Sequence, residues 1–359
     1  GGDSRGRRSL VPRRVPSRVH HGGHRRDTRV ATCLALLARS QTSRLLGGKR
    51  MTKHVILGAG PVAHAIVRAL SSRGIDAVVV SRRGTLIDGA QTVAADVLDS
   101  DNLAKIVAGS AAVYQSSQPG YHRWPGEFPA LQDSVVRAVR GTDAVLVAVE
   151  NLYGYGPVAG PLTESLPLVA TTRKGKTRAD LWRALETEYK TGRLKATAGR
   201  ASDFFGPHAA ASAVGERFFD PLLHGKKAEL FGNPNALHSY TYVVDFGEAL
   251  VRLALDGRSL GRAWHVPNAP AISTKAFLEL TASIMGVEPK SVIRSKFQLR
   301  LAGLFIPPAK ESIEMLYEFE EDFIVNHSAY GALFGEHATP LHDSISATVE
   351  WWRNCTPNQ

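Results

Sequence analysis

Short apolar runs alternate with helical patterns over the first hundred residues that follow position 50. Mainly apolar runs at 55–57, 78–80, 92–95, 111–114 and 144–149 predict short buried strands. Between them, apolar positions 62, 66, 67 and 70 recur at helical spacing, and 101–108 and 127–140 predict two further helices. Strands that alternate with helices in this way predict an α/β fold with a parallel, doubly wound sheet.

A different pattern follows residue 202. Residues 218–235 predict a helix, a turn and a strand, 277–285 predict an apolar helix, and the tryptophans at 351 and 352 are expected to anchor a terminal helix. We therefore divide the body into a nucleotide-binding domain, 51–202, and a region that is mainly a smaller C-terminal substrate lobe, 203–359.

The turn between the first strand and the first helix has the pattern G-x-G-x-x-A. The first glycine permits a tight turn, the second lets the backbone approach a pyrophosphate, and the start of the helix offers open N–H groups. A strand precedes this pattern and a helix follows it, which is the context that makes it a dinucleotide-binding signal. The predicted phosphate-binding residues are Gly58, Ala59, Gly60, Pro61 and Val62.

The second strand ends in a hydroxyl and two guanidinium groups, Ser81, Arg82 and Arg83, and Asp76 lies at its opposite end. An acid at the strand tip would bind the 2′-OH of NAD, whereas arginine can bind a 2′-phosphate through two hydrogen bonds. The sequence therefore predicts NADP(H) in preference to NAD(H), and the alternative is a solvated strand end. Asp96 and Val97, after the third strand, are expected at the adenine edge.

Three further segments carry a family resemblance. They are LYGYGP at 152–157 with Leu-Thr-Glu at 162–164, RASDFFGP at 200–207, and SYTYVVDFGEAL at 239–250. With the glycine turn, they make the chain similar to extended and atypical short-chain dehydrogenase/reductases, the NAD(P)-dependent epimerase/dehydratase group, over residues 55–350. The resemblance implies a Rossmann-type sheet, a nicotinamide cofactor and dimerisation through the helices that flank the sheet.

The resemblance also implies a catalytic Tyr-x-x-x-Lys pair and a Ser or Thr after the fifth strand. Lys176 matches the lysine, which would hold the nicotinamide ribose, but Thr172 stands where the tyrosine is expected. The hydroxyl position falls near Val149 and Glu150. An aliphatic hydroxyl is far less acidic than a phenol, so the proton must come from another group.

We predict that Tyr153, with Lys176, replaces the missing pair, and Glu150 is a third catalytic candidate on the same loop. Each has an alternative interpretation. In these alternatives Tyr153 packs beneath the cofactor, Lys174 and Lys176 are solvated among Arg173 and Arg178 or bind phosphate, and Glu150 caps a loop or pairs with a nearby base.

The segment YHRWPGEFP at 121–129 is unusually rich in aromatic and charged residues for a loop. We expect it to line a substrate pocket, and the alternative is an aromatic plug over the sheet edge. The predicted substrate-binding residues are Tyr121, His122, Trp124, Asn151, Asp203 and Phe204.

The net charge of +11 resides entirely in residues 1–50, which hold 13 Lys or Arg and 2 Asp or Glu, while the other residues hold 31 of each. We expect this segment to be a disordered basic tail. Three interpretations of this segment are possible from its sequence: an extension upstream of a start at Met51, an organelle transit peptide, and a polyanion-binding arm. The balanced body excludes the footprint of a nucleic-acid-binding domain.

Cys33 and Cys355 are far apart in the sequence and do not suggest a disulfide framework. The sequence has no residues at metal-ligand spacing, and it has no apolar stretch long enough to span a membrane. We expect a cytoplasmic protein without a metal. Its predicted function is that of an NADP(H)-dependent oxidoreductase or epimerase-like enzyme that acts on a small carbonyl or hydroxyl substrate. The alternative is a catalytically silent sensor that binds NADP(H).

Overall fold

A seven-stranded parallel sheet forms the centre of the protein, with the strand order β3-β2-β1-β4-β5-β6-β11. The computed structural model describes residues 53–294 and 313–355. The strands of this sheet are β1 (His54–Leu57), β2 (Ala77–Ser81), β3 (Gln91–Ala94), β4 (Ala112–Gln115), β5 (Val145–Glu150), β6 (Lys195–Arg200) and β11 (Ala263–His265). The predicted Rossmann-type α/β fold is thereby confirmed.

Helices cover both faces of the sheet, as expected for strands that are apolar on both sides. On one face α1 and α6 pack together, and on the other lie α2, α3 and α4. The helices of the described residues are α1 (Pro61–Ser71), α2 (Ser100–Val107), α3 (Trp124–Val139), α4 (Arg173–Lys190), α5 (Glu216–Leu223), α6 (Val243–Leu255), α7 (Thr274–Met285), α8 (Ser328–Phe334) and α9 (Leu341–Cys355).

The contact between α1 and α6 needs a residue without a side chain. A Cβ at Gly247 of α6 would overlap the backbone of Ala65 of α1. The close approach holds the helix that follows the glycine turn against the sheet, so that its first turn stays at the carboxyl edge of β1.

A separate aromatic core lies among α5, α7 and α9. Phe218, Phe219 and Phe277 are fully buried there, and Trp352 stacks on Phe219 with ring centroids 6.1 Å apart. The remaining short strands are β7 (Phe204–Phe205), β8 (Ala228–Phe231), β9 (Leu237–His238), β10 (Thr241–Tyr242), β12 (Ile272–Ser273) and β13 (Ser291–Arg294).

The chain after residue 203 contributes to both regions. It forms the aromatic core, but it also returns α6 and β11 to the central sheet. The domain boundary at 202 remains a prediction. The predictions for residues 1–50 lie outside the described residues.

Candidate active site

The glycine turn lies at the carboxyl edge of the sheet. Gly58 has φ +105°, and an added Cβ there would lie 3.0 Å from the backbone nitrogen of Ser117. Gly60 instead faces open space, with no atom within 4 Å of the position of its absent Cβ, and α1 begins at the next residue, Pro61. The turn therefore leaves room for a pyrophosphate beside the N-terminal N–H groups of α1.

One cleft of about 1510 Å³ brings together almost every residue that the sequence predicted. From the glycine turn and the ends of β2 and β3 it is lined by Gly58, Ala59, Gly60, Pro61, Val62, Ser81, Arg82, Arg83, Asp96 and Val97. From the loops after β4, β5 and β6 it is lined by Tyr121, His122, Trp124, Glu150, Asn151, Tyr153, Asp203 and Phe204.

The tip of β2 presents polar groups to this cleft. Arg82 and Arg83 are exposed, and Ser81 Oγ accepts a hydrogen bond from the Thr85 backbone nitrogen at 2.9 Å. That bond occupies a lone pair of Ser81 and leaves its O–H hydrogen for another acceptor. The exposed Asp96, across the cleft edge, accepts from the Leu98 nitrogen at 3.0 Å.

Buried polar atoms without protein partners mark the loop after β4. Gln115 Oε1 and Ser117 Oγ both belong to cleft-lining residues and have no hydrogen-bond partner within the described residues. Unsatisfied buried groups of this kind need a partner. With the open Gly60, they fit a dinucleotide in the cleft.

Two phenols face each other across the loops after β4 and β5. The hydroxyls of Tyr121 and Tyr153 lie 3.4 Å apart, and the buried Trp124 packs edge-on against Tyr121, with ring centroids 5.0 Å apart. Burial raises the pKa of both phenols, and the hydrogen bond between the two hydroxyls acts in the opposite direction on Tyr121 without outweighing burial. Both are therefore neutral at physiological pH and act as hydrogen-bond donors rather than as bases.

The structure does not bring Lys176 to this cleft. Lys176 is exposed on α4, and Thr172 is the N-cap of that helix, where its Oγ1 accepts from the Gly175 nitrogen at 3.2 Å. Lys174 and Arg178, which share one face of α4, are buried instead. We correct the placement of Lys176 accordingly, because residue 176 lies on the opposite side of the helix from these two.

The two buried cations of α4 contact the aromatic rings around the start of α3. Lys174 Nζ lies 2.5 Å from Glu314 Oε1 and 4.4 Å from the centroid of the Tyr121 ring. The Arg178 guanidinium lies 4.3 Å from the Trp124 ring centroid and donates to Gln118 Oε1 at 3.1 Å. Burial lowers the pKa of Arg178 to about 10, so that it stays charged at neutral pH.

Glu150 forms a buried ion pair. Its Oε2 lies 2.9 Å from Arg200 Nε, and Arg200 Nη1 donates to the Tyr155 hydroxyl at 2.7 Å. Tyr155 in turn contacts His265 Nε2 at 2.8 Å, and burial, with the nearby Arg200, lowers the pKa of His265 to about 3. The neutral His265 therefore accepts from Tyr155, and the Glu150 carboxylate takes part in a structural network.

The other predicted substrate residues lie beside the phenols. Asn151 Oδ1 accepts from the Tyr153 nitrogen at 3.3 Å. Asp203 Oδ2 lies 3.1 Å from His238 Nε2, and Phe204 is half-buried next to it.

The sequence reasoning considered Lys174 and Arg178 only as part of a solvated or phosphate-binding group of bases, and it did not consider Glu318. Lys174 and Arg178 are in register with the buried Leu181, Trp182 and Leu185 of α4, so that the apolar stripe of the helix was a usable signal. Glu318, in a 3-10 helix at Ile313–Phe319, carries no motif that distinguishes it from the acids that follow it.

A family model now decides the class of the protein. The model of the NAD dependent epimerase/dehydratase family matches residues 54–266. The chain belongs to this family. Membership confirms the expected enzyme class and the expected dependence on a nicotinamide cofactor.

Solved structures with the same fold have low sequence identity to the chain. The UDP-glucuronic acid 4-epimerase of Bacillus cereus in complex with NAD is 15% identical, with a TM-score of 0.68 over 84% of this chain and 99% of that one. The UDP-glucose 4-epimerase of Thermotoga maritima with UDP-glucose is 17% identical, with a TM-score of 0.68 over 84% and 99%. The dTDP-glucose 4,6-dehydratase of Streptomyces venezuelae is 16% identical, with a TM-score of 0.67 over 85% and 98%. At these identities the likeness concerns the fold alone.

No curated protein matches the chain. Within residues 53–294 and 313–355, no group of His, Cys, Asp and Glu is arranged to hold a metal ion. None of the helices in those two ranges has the length and apolar character needed to cross a membrane.

Proposed function

We propose that the protein is an NADP(H)-dependent oxidoreductase or epimerase-like enzyme that acts on a small carbonyl or hydroxyl compound. The observation that carries the proposal is a single cleft in which the glycine turn and Arg82 with Arg83 line one end and the Tyr121–Tyr153 phenol pair lines the other. We further propose that it is a cytoplasmic protein and a homodimer.

The ribose end supports NADP(H). Arg82 and Arg83 supply guanidinium groups, and Ser81 supplies a hydroxyl hydrogen at the tip of β2. A 2′-phosphate carries negative charge and acceptor oxygens that match these donors. The turn at Gly58–Val62 would hold the pyrophosphate, and Asp96 with Val97 would border the adenine.

The substrate end supports hydride chemistry at an oxygen-bearing carbon, which is what a nicotinamide cofactor supplies when bound. The neutral phenols of Tyr153 and Tyr121 would donate hydrogen bonds to the substrate oxygen. Arg178, which lines the cleft beside Trp124, would supply a positive charge at this end, in place of the lysine of the usual pair. The aromatic and polar lining suits a small polar molecule.

Two measurements test the proposal. The first is calorimetric titration of the full chain with NADP⁺ and NAD⁺, and the second is NADPH oxidation in the presence of short aldehydes, ketones and keto sugars. Tighter binding of NADP⁺ and steady oxidation of NADPH are expected. Equal or absent binding would refute the cofactor assignment. Tight binding without turnover of any compound would favour the sensor interpretation.

A further inference from the structure

Glu318 is a buried carboxyl group at the substrate end of the cleft. Its residue is 2% exposed, it lines the cleft with Tyr121 and Tyr153, and its Oε1 has no hydrogen-bond partner among the described residues. Burial of a carboxyl oxygen without a donor is unfavourable. A ligand in the cleft that brings a polar hydrogen or accepts one would satisfy it.

The backbone beside Glu318 is fixed by His238. His238 Nδ1 lies 3.1 Å from the Glu318 carbonyl oxygen, which can only accept, so Nδ1 carries a hydrogen. His238 Nε2 also lies 3.1 Å from Asp203 Oδ2. The Glu318 backbone is thus held by an imidazole whose other partner, Asp203, lines the cleft.

The surroundings of Glu318 favour its protonated form. Burial, and next the charge of Asp203, raise the pKa of Glu318 well above its ordinary value of 4.5, while hydrogen bonding from the neighbouring Tyr317 hydroxyl toward the carboxyl group acts in the opposite direction. Lys174 at the far side of Tyr121 is paired with Glu314 of the same 3-10 helix.

Burial raises the pKa of the Glu318 carboxyl group from an ordinary value well below neutral pH, and so brings it toward neutral pH. The same effect raises the pKa of the Tyr121 and Tyr153 phenols further above neutral pH. Proton transfer is most efficient when the pKa of the catalytic group lies near the working pH. The carboxyl is therefore the better proton carrier at this site.

We propose that Glu318 is the catalytic residue that exchanges the proton with the substrate oxygen, while the two phenols hold that oxygen in place. The inference rests on the proposed function and deepens it. In the reducing direction the O–H bond of Glu318 would break as an O–H bond forms on the substrate oxygen. A reduced nicotinamide, when bound, would supply the hydride to the substrate carbon, so that the substrate would be reduced and the cofactor oxidised. The Glu318 carboxylate would then recover its proton from the solvent buffer.

A stability measurement tests, without any substrate, whether Glu318 stays protonated above its ordinary pKa. The folded wild type holds this proton above the ordinary pKa of glutamate, so its stability falls as pH rises from about 4.5 toward the raised pKa. E318Q lacks this titration. Urea unfolding of the full chain should show the stability of E318Q rising relative to wild type by about tenfold in the unfolding constant per pH unit.

E321Q serves as the matched control, because Glu321 is exposed three residues further along the chain. It should follow the pH profile of the wild type. Parallel profiles of wild type and E318Q would overturn the inference, since Glu318 would then be ionised throughout.

Turnover separates this inference from the proposed function. With the carbonyl compound that the wild type reduces fastest, E318Q should lower kcat by about 100-fold and leave the NADP⁺ affinity unchanged. Equal kcat values for E318Q and wild type would overturn the role of Glu318 and leave the proposed function intact. Failure of the wild type to reduce any compound would instead refute the proposed function, and the role of Glu318 would fall with it.

Discussion

The ammonium group of Lys174 lies over the ring of Tyr121, 4.4 Å from its centroid. Lys174 Nζ also lies 2.5 Å from Glu314 Oε1. Through these contacts Lys174 of α4 connects Tyr121, in the segment between β4 and α3, to the 3-10 helix that carries Glu318. The buried side of α4 therefore organises the substrate end of the cleft.

Replacement of Lys174 by Met should destabilise the protein by about 2 kcal/mol, because it leaves the half-buried Glu314 without its cation. The matched substitution is K176M on the exposed side of the same helix, which should change the stability by less than about 0.5 kcal/mol. Urea unfolding of both full-length variants measures the difference. Equal losses would show that Lys174 contributes no more than a surface lysine.

The local patterns were sufficient to predict the sheet and the helices that cover it. Apolar runs and helical spacing located β1 and α1 to within one residue, and the glycine turn indicated the nucleotide edge. The start of α3 was placed three residues late, because Pro125 and Gly126 resemble a loop, although proline is favourable in a first helical turn.

The catalytic end was harder to predict, because its residues come together only in the folded chain. Lys176 was chosen from a motif spacing, whereas the burial of Lys174 and Arg178 follows from the side of α4 that faces the sheet. Glu318 is separated from Tyr121 by almost two hundred residues, and a single sequence holds no signal for such a contact.

Replacement of both Arg82 and Arg83 by Ala should weaken NADP⁺ binding by about 100-fold and leave NAD⁺ binding unchanged. Each guanidinium is expected to form charged hydrogen bonds with the 2′-phosphate, and NAD⁺ lacks that group. Calorimetric titration of the full-length double variant measures both affinities. R137A, at an exposed position of α3 outside the cleft lining, is the control. A parallel loss of both affinities would contradict the assigned role.

The two glycines of the turn should respond differently to alanine. At Gly58, with φ +105° and Ser117 close by, alanine should destabilise the fold by about 1–3 kcal/mol. At Gly60, where φ is −88° and the Cβ would enter open space, alanine should leave stability unchanged and reduce cofactor affinity by about tenfold or more. Thermal unfolding and NADP⁺ titration distinguish the two effects, and unchanged NADP⁺ affinity in G60A would contradict a pyrophosphate at this turn.

Acid should weaken the contact between α1 and α6 through Glu248. Burial opposes ionisation of Glu248, but hydrogen bonds and charge from Arg73 and Arg252 outweigh it and lower its pKa from 4.5 to about 2. A lowered pKa stabilises the fold above about pH 4.5, and this stabilisation is lost as pH falls toward 2.

E248Q should therefore be less stable than wild type by about 1 kcal/mol near neutral pH, after allowance for solvent screening of this half-exposed group. Urea unfolding between about pH 3 and pH 6 should show the gap narrowing toward acid, whereas the exposed Glu350, changed to Gln, should show no gap. A gap that stays constant across this range would mean that the Glu248 carboxylate does not carry the stabilisation.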